Sequence, residues 1–388
     1  MPEVFPYELR YDLTLRPDAG LADVALTLGK GSHNIRWLRF SVDPARQDRF
    51  EADGKLERDG KYLTWTPPVE GGQLRFVVKI DHRRGQAFDA RMTHDWALFR
   101  GDDVVPPARL LQEAGSEAEA ELHVHLPEGW SFVSAFEELR PNVYRIENPE
   151  RGFDRPTGWM AAGRLGIRRE RIARVDVIVA GPLNQGVRHM DILAFMNWNL
   201  PRLRAIVDRL PERILIVSAR EEMWRGGLSG PNSLYLHADR PLLSGNATST
   251  LLHELVHVAT RLRSRDGGDW IVEGLAEYYS LKLMWRSGTI TTRRFRRGFQ
   301  QLHEWGGDLE LKDLDTPRAR GPVTARAVLL FRELDREILR KSERAKSLDD
   351  VVKHLVSKGE PVSLEVLRGA VEAVLGERAE TLAEPASM

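Results

Sequence analysis

The 388-residue chain contains no cysteine. That excludes disulfide bridges, cysteine-zinc knuckles and thiol nucleophiles, so any transition metal must be held by histidine and carboxylate. An excess of one charge sign is also missing, because 57 basic residues balance 57 acidic ones. The general electrostatic pull toward nucleic acid or anionic lipid is therefore absent, and neither nucleic acid nor membrane is expected as a partner. No uninterrupted apolar run approaches the length that spans a bilayer. The opening MPEVFPYELRYDLTLRP has acidic and prolyl residues where a signal peptide carries basic residues and then an apolar stretch, so a cytoplasmic location is the expectation. Tyrosine is scarce, with seven residues, and none follows Tyr279.

What is present reads as a globular protein: 42% of residues are hydrophobic and 29% charged. The length exceeds one ordinary core and predicts two or three domains. From about residue 5 to 170, short alternating or apolar runs such as ELRYDLTLR, ADVALTLG, IRWLRFSV and NVYRIEN recur between turn residues, the pattern of an all-β sandwich or barrel. Beyond it the period changes. Residues 187–209 read as a helix with a break or kink at Pro201, RILIVSA and SLYLH as strands, and then helices dominate at 248–264, 270–286, 292–304, 322–341, 347–357 and 363–375. The expected division is an N-terminal all-β domain over residues 1–172, a mixed domain over 173–308 and a C-terminal helical region over 309–388.

The chemistry concentrates in LLHELVHVATRLRSRDGGDWIVEGLAEYYS, residues 251–280. With eleven histidines and 32 glutamates, one H-E-x-x-H is expected by chance roughly 0.03 times per chain, so its context has to decide. Asn246, Thr248 and Ser249 offer helix-start chemistry, and Leu251, Leu252, Leu255, Val256, Val258, Ala259 and Leu262 supply an apolar body. On such a helix His253 and His257 are four apart and can converge on one ion, with Glu254 flanking the same pocket. Two imidazoles make a weak site, since catalytic zinc uses three protein ligands and one open position. A second helix beginning at Trp270 places Glu273 sixteen positions after His257, and the intervening loop is long enough to let it cross back. His253, His257 and Glu273 are thus the expected ligands of one Zn²⁺ per chain. Glu254 is the expected general base, and Glu277, one turn beyond Glu273, the expected acceptor for the outer N–H of a ligand histidine.

HELVH followed by WIVEGLAEY resembles the gluzincin zinc metallopeptidases, in particular the aminopeptidase-N-like and glycyl-aminopeptidase-like families. The resemblance implies a thermolysin-like catalytic domain between an N-terminal β-sandwich and C-terminal helices, and a zinc-dependent hydrolase acting on a peptide or small protein substrate. It further implies that Gly226, Gly227, Leu228 and Ser229 form an edge strand to which an extended substrate adds by main-chain hydrogen bonds. Two departures accompany it. The aminopeptidases bind the substrate's α-amine through a glutamate in that strand, where this chain has Ser229. They also carry a tyrosine near the zinc on the C-terminal helices, where residues 320–328 here read RGPVTARAV. The alternative reading is a catalytically degenerate relative that binds zinc and uses the cleft to hold a peptide or protein.

Other candidates have plainer readings. His123 and His125 share one strand face and alternate with Leu122, Val124 and Leu126, which predicts a solvated face. The basic run at residues 293–297, RRFRR, is expected on an exposed helix face. The serine of GGLSGP is not followed two residues later by glycine and is no nucleophile elbow.

Overall fold

The structure is a computed structural model of the chain and describes residues 5–148, 152–220, 222–265 and 267–383. Its first half consists of strands, as the alternation predicts, arranged in three sheets. A seven-stranded sheet is built around Phe5–Arg16, which pairs in parallel with Ser116–His125 and antiparallel with Leu21–Leu28. A four-stranded sheet contains Ile35–Ser41 and Tyr62–Thr66, and a five-stranded sheet is centred on Trp96–Arg100 and Trp159–Gly163. Alternation explains why the last of these can be buried throughout. Met160 and Ala162 join the core shared with the other two sheets, whereas Trp159 and Ala161 point to the opposite side and pack on the second half of the chain.

The second half is organised on a five-stranded sheet in the order Leu165–Ile172, Val175–Pro182, Arg213–Ala219, Ser233–His237, Gly227–Gly230. Sheet membership divides the chain near Gly163, earlier than the boundary after residue 172 expected from sequence. Leu165–Ile172 pairs over its whole length with Val175–Pro182 through a two-residue turn, with Ala173 at φ 49° and Arg174 at φ 65°. Positive φ at both central residues matches the twist of a tight hairpin, so the two strands cannot belong to different sheets. One face of this sheet meets Trp159, Leu98 and Phe88 of the first half; the other carries the helices.

The predicted helices appear with small changes at their ends: Thr250–Thr260, Asp269–Arg286, Thr292–Gly306, Pro322–Lys341, Leu348–Lys358 and Leu364–Leu375. His189–Arg204 runs through Pro201 without ending there. Among the described residues the C-terminal helices have no core of their own. Phe331, Leu348, Val371 and Leu382 belong to the same apolar cluster as Val177, Leu255 and Leu275, so residues 309–383 complete the mixed region. His123 and His125 pair with Glu121 and Asp12 on the partly solvated face of their strand, and Arg293, Arg296 and Arg297 are exposed. Among the described residues no helix is long and apolar enough to cross a membrane.

The helix Asp269–Arg286 is fastened to the C-terminal helices by a buried ionic cluster. Lys282 Nζ lies 2.8 Å from Asp335 and 3.2 Å from Asp349, and both Lys282 and Asp335 are less than a tenth exposed. Tyr278 donates to Asp335 at 2.7 Å, as does the backbone N–H of Leu348 at 2.9 Å; Tyr279 and Arg286 bond Asp349. Burial opposes the charge on Asp349, but Lys282 and Arg286 outweigh it and hold the carboxyl below its usual range. A pKa depressed on folding contributes stability that is present above the ordinary carboxylate pKa and is lost as pH falls through the folded value. Asp335→Ala leaves a buried ammonium, a phenol and a backbone N–H short of a partner, and is expected to cost about 3–5 kcal/mol in urea unfolding at neutral pH.

Candidate metal centre and cleft

The first site helix, Thr250–Thr260, starts at Ser249, whose hydroxyl accepts the Leu252 N–H at 3.3 Å. Of the three helix-start residues in the sequence, Ser249 is the one at the cap position. The helix ends at Arg261, which has φ 52° and returns its N–H to the His257 carbonyl at 2.9 Å. The following loop is tied down by reciprocal backbone bonds with Val362, from Arg265 at 2.9 Å and to Arg263 at 2.7 Å. The second site helix, Asp269–Arg286, then runs back past the first. Ser280 bridges them, accepting from the Ser249 N–H at 3.3 Å and donating to the Ser249 carbonyl at 3.2 Å. Gly274 makes the approach of the C-terminal helix possible, because a Cβ there would stand 2.6 Å from the Ala327 methyl.

This crossing brings His253, His257 and Glu273 together, with one donor atom from each lying within 4.8 Å of the others. The two Nε2 atoms are 3.1 Å apart, Glu273 Oε2 is 3.2 Å from His253 Nε2, and Oε1 is 3.4 Å from His257 Nε2. Tetrahedral zinc, with bonds of about 2.0–2.1 Å, separates its ligand atoms by about 3.3 Å, so this donor set fits the ion in number, type and spacing. Glu277 Oε2 lies 3.0 Å from His253 Nδ1 on the far side of that ring. A carboxylate there holds the proton on Nδ1 and leaves the Nε2 lone pair facing the other donors.

The local electrostatics follow from crowding these groups out of water. Burial disfavours a charged His253, but hydrogen bonds to Glu273 and Glu277 outweigh it and raise its pKa well above the ordinary value. Burial together with the neighbouring His253 charge lowers His257 to about 4. Burial works against the Glu273 carboxylate too, yet its bond to His253 and the nearby positive charges keep its pKa below the usual range.

Glu254 projects toward the edge strand Gly227–Gly230. Burial raises its pKa, an effect opposed by His253 and by hydrogen bonds from the Ser229 hydroxyl and backbone N–H. Gly227 is where helix and strand come closest: an added Cβ would meet Glu254 Cγ at 2.6 Å and Thr250 Cγ2 at 2.7 Å. Leu228 and Ser229 lie in the strand, paired with Tyr235 and Leu234, whereas Gly226 precedes it and accepts the His237 N–H at 3.0 Å.

One residue that positions this strand has no signal in the sequence around the motif. Trp159, from the first half of the chain, donates its indole N–H to the Leu228 carbonyl at 2.9 Å, and its backbone N–H bonds the Ser233 hydroxyl at 2.7 Å. Among the described residues no tyrosine lines the cleft. Tyr278 and Tyr279 are buried and committed to Asp335 and Asp349, and Tyr235 is buried with its hydroxyl on the Trp224 carbonyl.

Two cavities border the metal cluster. One of about 640 Å³ lies between the halves of the chain and is bordered by His257, Ser229 and Gly230. Another of about 310 Å³ is bordered by His253, Glu273, Trp305 and Thr324.

No protein-family model matches the sequence, and no curated protein matches it either. Solved structures do match. An aminopeptidase N family protein from Idiomarina loihiensis superposes with a TM-score of 0.67 at 15% identity, over 90% of this chain and 70% of its own. An M1 zinc metallopeptidase from Deinococcus radiodurans gives a TM-score of 0.59 at 16% identity, over 98% of this chain and 92% of its own. A two-domain M1 zinc metallopeptidase mutant bound to L-tryptophan gives 0.59 at 17% identity over the same shares. The chain is thus structurally similar, over nearly its full length, to M1 zinc metallopeptidases and aminopeptidase N family proteins, with a β-sheet region followed by a mixed region and C-terminal helices.

Proposed function

We propose that the chain is a zinc-dependent hydrolase of peptide bonds. The observation that carries this reading is the mutual approach of His253 Nε2, His257 Nε2 and the Glu273 carboxylate at 3.1–3.4 Å, with Glu254 beside them and an edge strand opposite. The fold it shares with zinc metallopeptidases, some of them solved with amino acids bound, supports the same chemistry. When bound, zinc supplies a Lewis acid for the scissile carbonyl and brings the pKa of a coordinated water to about 7.

The remaining work falls to the chain itself. Glu277 orients the His253 ring through Nδ1, and the carboxylate of Glu273 balances the charge of the site. Glu254 is the base. Its raised pKa makes it a better proton acceptor than an exposed glutamate, and the Ser229 contacts aim its carboxylate at the space beside the donors. It takes the proton from the attacking water and later delivers it to the departing amine. A substrate backbone lying along Gly227–Ser229 would be held in extended form across the same space. Because no phenol reaches the cleft, a weaker oxyanion donor is expected, and the absence of one strong donor costs turnover by about 10²- to 10³-fold. That same absence favours the second reading, a zinc-holding relative that binds peptides without cutting them.

Elemental analysis paired with cleavage of a mixed peptide library tests the proposal. Wild-type protein is expected to hold one zinc and to cleave in a chelator-sensitive way; zinc retention with no cleavage would leave the binding module as the reading. Glu254→Gln is expected to keep its zinc while turnover falls by at least about 10²-fold, and an active Gln variant would remove Glu254 from its role. His253→Ala should lose the metal. Glu277→Ala is expected to weaken zinc binding about 10- to 100-fold in competition with a chromophoric chelator, with unaltered affinity counting against the orienting contact.

A further inference from the structure

We infer that the cavity bordered by His253 and Glu273 receives one side chain of the substrate, and that Trp305 on its wall selects a flat aromatic one. This rests on the proposed peptide hydrolase activity and specifies which residue beside the cleaved bond that site prefers. Other tryptophans of the chain have aromatic neighbours: Trp270 stacks on Phe331, Trp285 on Phe295, and Trp159 lies against Tyr235. Trp305 is 60% exposed and, among the described residues, has neither a ring partner nor a hydrogen bond. It shares its cavity with two of the three metal donors. A side chain of a substrate held at the metal would therefore find an indole with room for a stacking partner.

The volume, about 310 Å³, is at the low end of the range for ligand pockets, so it holds one large side chain and not a run of several. Leu302 and Ala325 add apolar wall, and Gly298 and Gly321 bring no side chain that would fill the space. Trp305 reaches as far as Gly321, where an added Cβ would stand 3.4 Å from Cζ2 of the indole. Apart from His253, Glu273 and Glu277, every described residue on the wall is uncharged. An acidic side chain would meet two carboxylates and no cationic side chain, a pairing of like charges that is disfavoured. A basic one needs a carboxylate to spare, since an ion taken from water without a partner is costly. Glu273 already faces both imidazoles and feels the positive charge of Arg320, and Glu277 is bonded to His253 Nδ1. Both carboxylates are committed to the donors, so an uncharged ring is what the rest of the wall fits.

Binding to the zinc-loaded full chain tests this without turnover. The probes are Nα-acetylated amino-acid hydroxamates, which anchor at the metal and differ only in their side chains: benzyl, methyl, 4-aminobutyl and carboxyethyl. Calorimetry is expected to show the benzyl compound binding about tenfold or more tighter than the methyl one, as burial of a phenyl ring implies, with the carboxyethyl compound weakest. Trp305→Ala should bring benzyl and methyl to within about threefold of each other at unchanged zinc content, and Trp305→Phe should keep most of the preference. Equal affinities in the wild type, tightest binding of the aminobutyl compound, or a benzyl preference that survives in Trp305→Ala would each overturn the inference. Cleavage of a mixed peptide library gives the second readout. Phe, Tyr and Trp should be enriched at one position next to the cleaved bond, and Trp305→Ala should lose that enrichment. Cleavage with no aromatic enrichment would refute the inference and leave the hydrolase reading intact. A benzyl preference in zinc-loaded protein that cuts nothing would remove the hydrolase reading while the cavity keeps its ligand class.

Discussion

The crossing of two helices governs the second half of this protein. For one carboxylate of Asp269–Arg286 to reach both imidazoles of Thr250–Thr260, the helices must come into contact along a line that includes Ser249 and Ser280. Direct contact of this kind requires small or reciprocally bonded groups at the crossing point. It also needs the far side of the second helix to be held, and that is where Lys282, Asp335 and Asp349 act. The ionic cluster and the metal cluster sit on opposite faces of one helix, so the position of Glu273 depends on both.

Charge compensation is the second constraint. Four ionisable side chains, His253, His257, Glu273 and Glu277, are gathered in a partly buried space, a costly arrangement unless the charges balance. Two acidic side chains, Glu273 and Glu277, face the two imidazoles, with a third, Glu254, nearby. A divalent cation among them would supply positive charge to this acidic surrounding.

Much of this was readable from local pattern. His253, Glu254 and His257 declare themselves by helical spacing, and the turn-rich loop before Trp270 makes a returning helix plausible, so Glu273 can be named without coordinates. The helices of the C-terminal region are visible from their period, and the structure places Ser347 and Ser363 at the caps of two of them. What local pattern does not carry is sheet membership. Leu165–Ile172 resembles its predecessors in composition, and only its pairing with Val175–Pro182 places it in the second sheet. Nor does a helical period reveal that Phe331 and Leu382 complete a core begun by Val177, since contacts that distant in sequence leave no mark on spacing. Pro201 is a similar case, tolerated within a helix whose packed face includes Leu200 and Leu203.

The indole of Trp159 ties the fate of the edge strand to a part of the chain that contributes nothing to the metal cluster. Leu228 pairs in register with Tyr235 of its own sheet and accepts a hydrogen bond from across the boundary between the halves, and Ser233 repeats the connection one strand further in. Holding an ion and presenting a rail for a guest backbone are thus separable properties with different structural origins. The first is complete within a pair of adjacent helices, whereas the second comes into being only when the two halves of the molecule have docked.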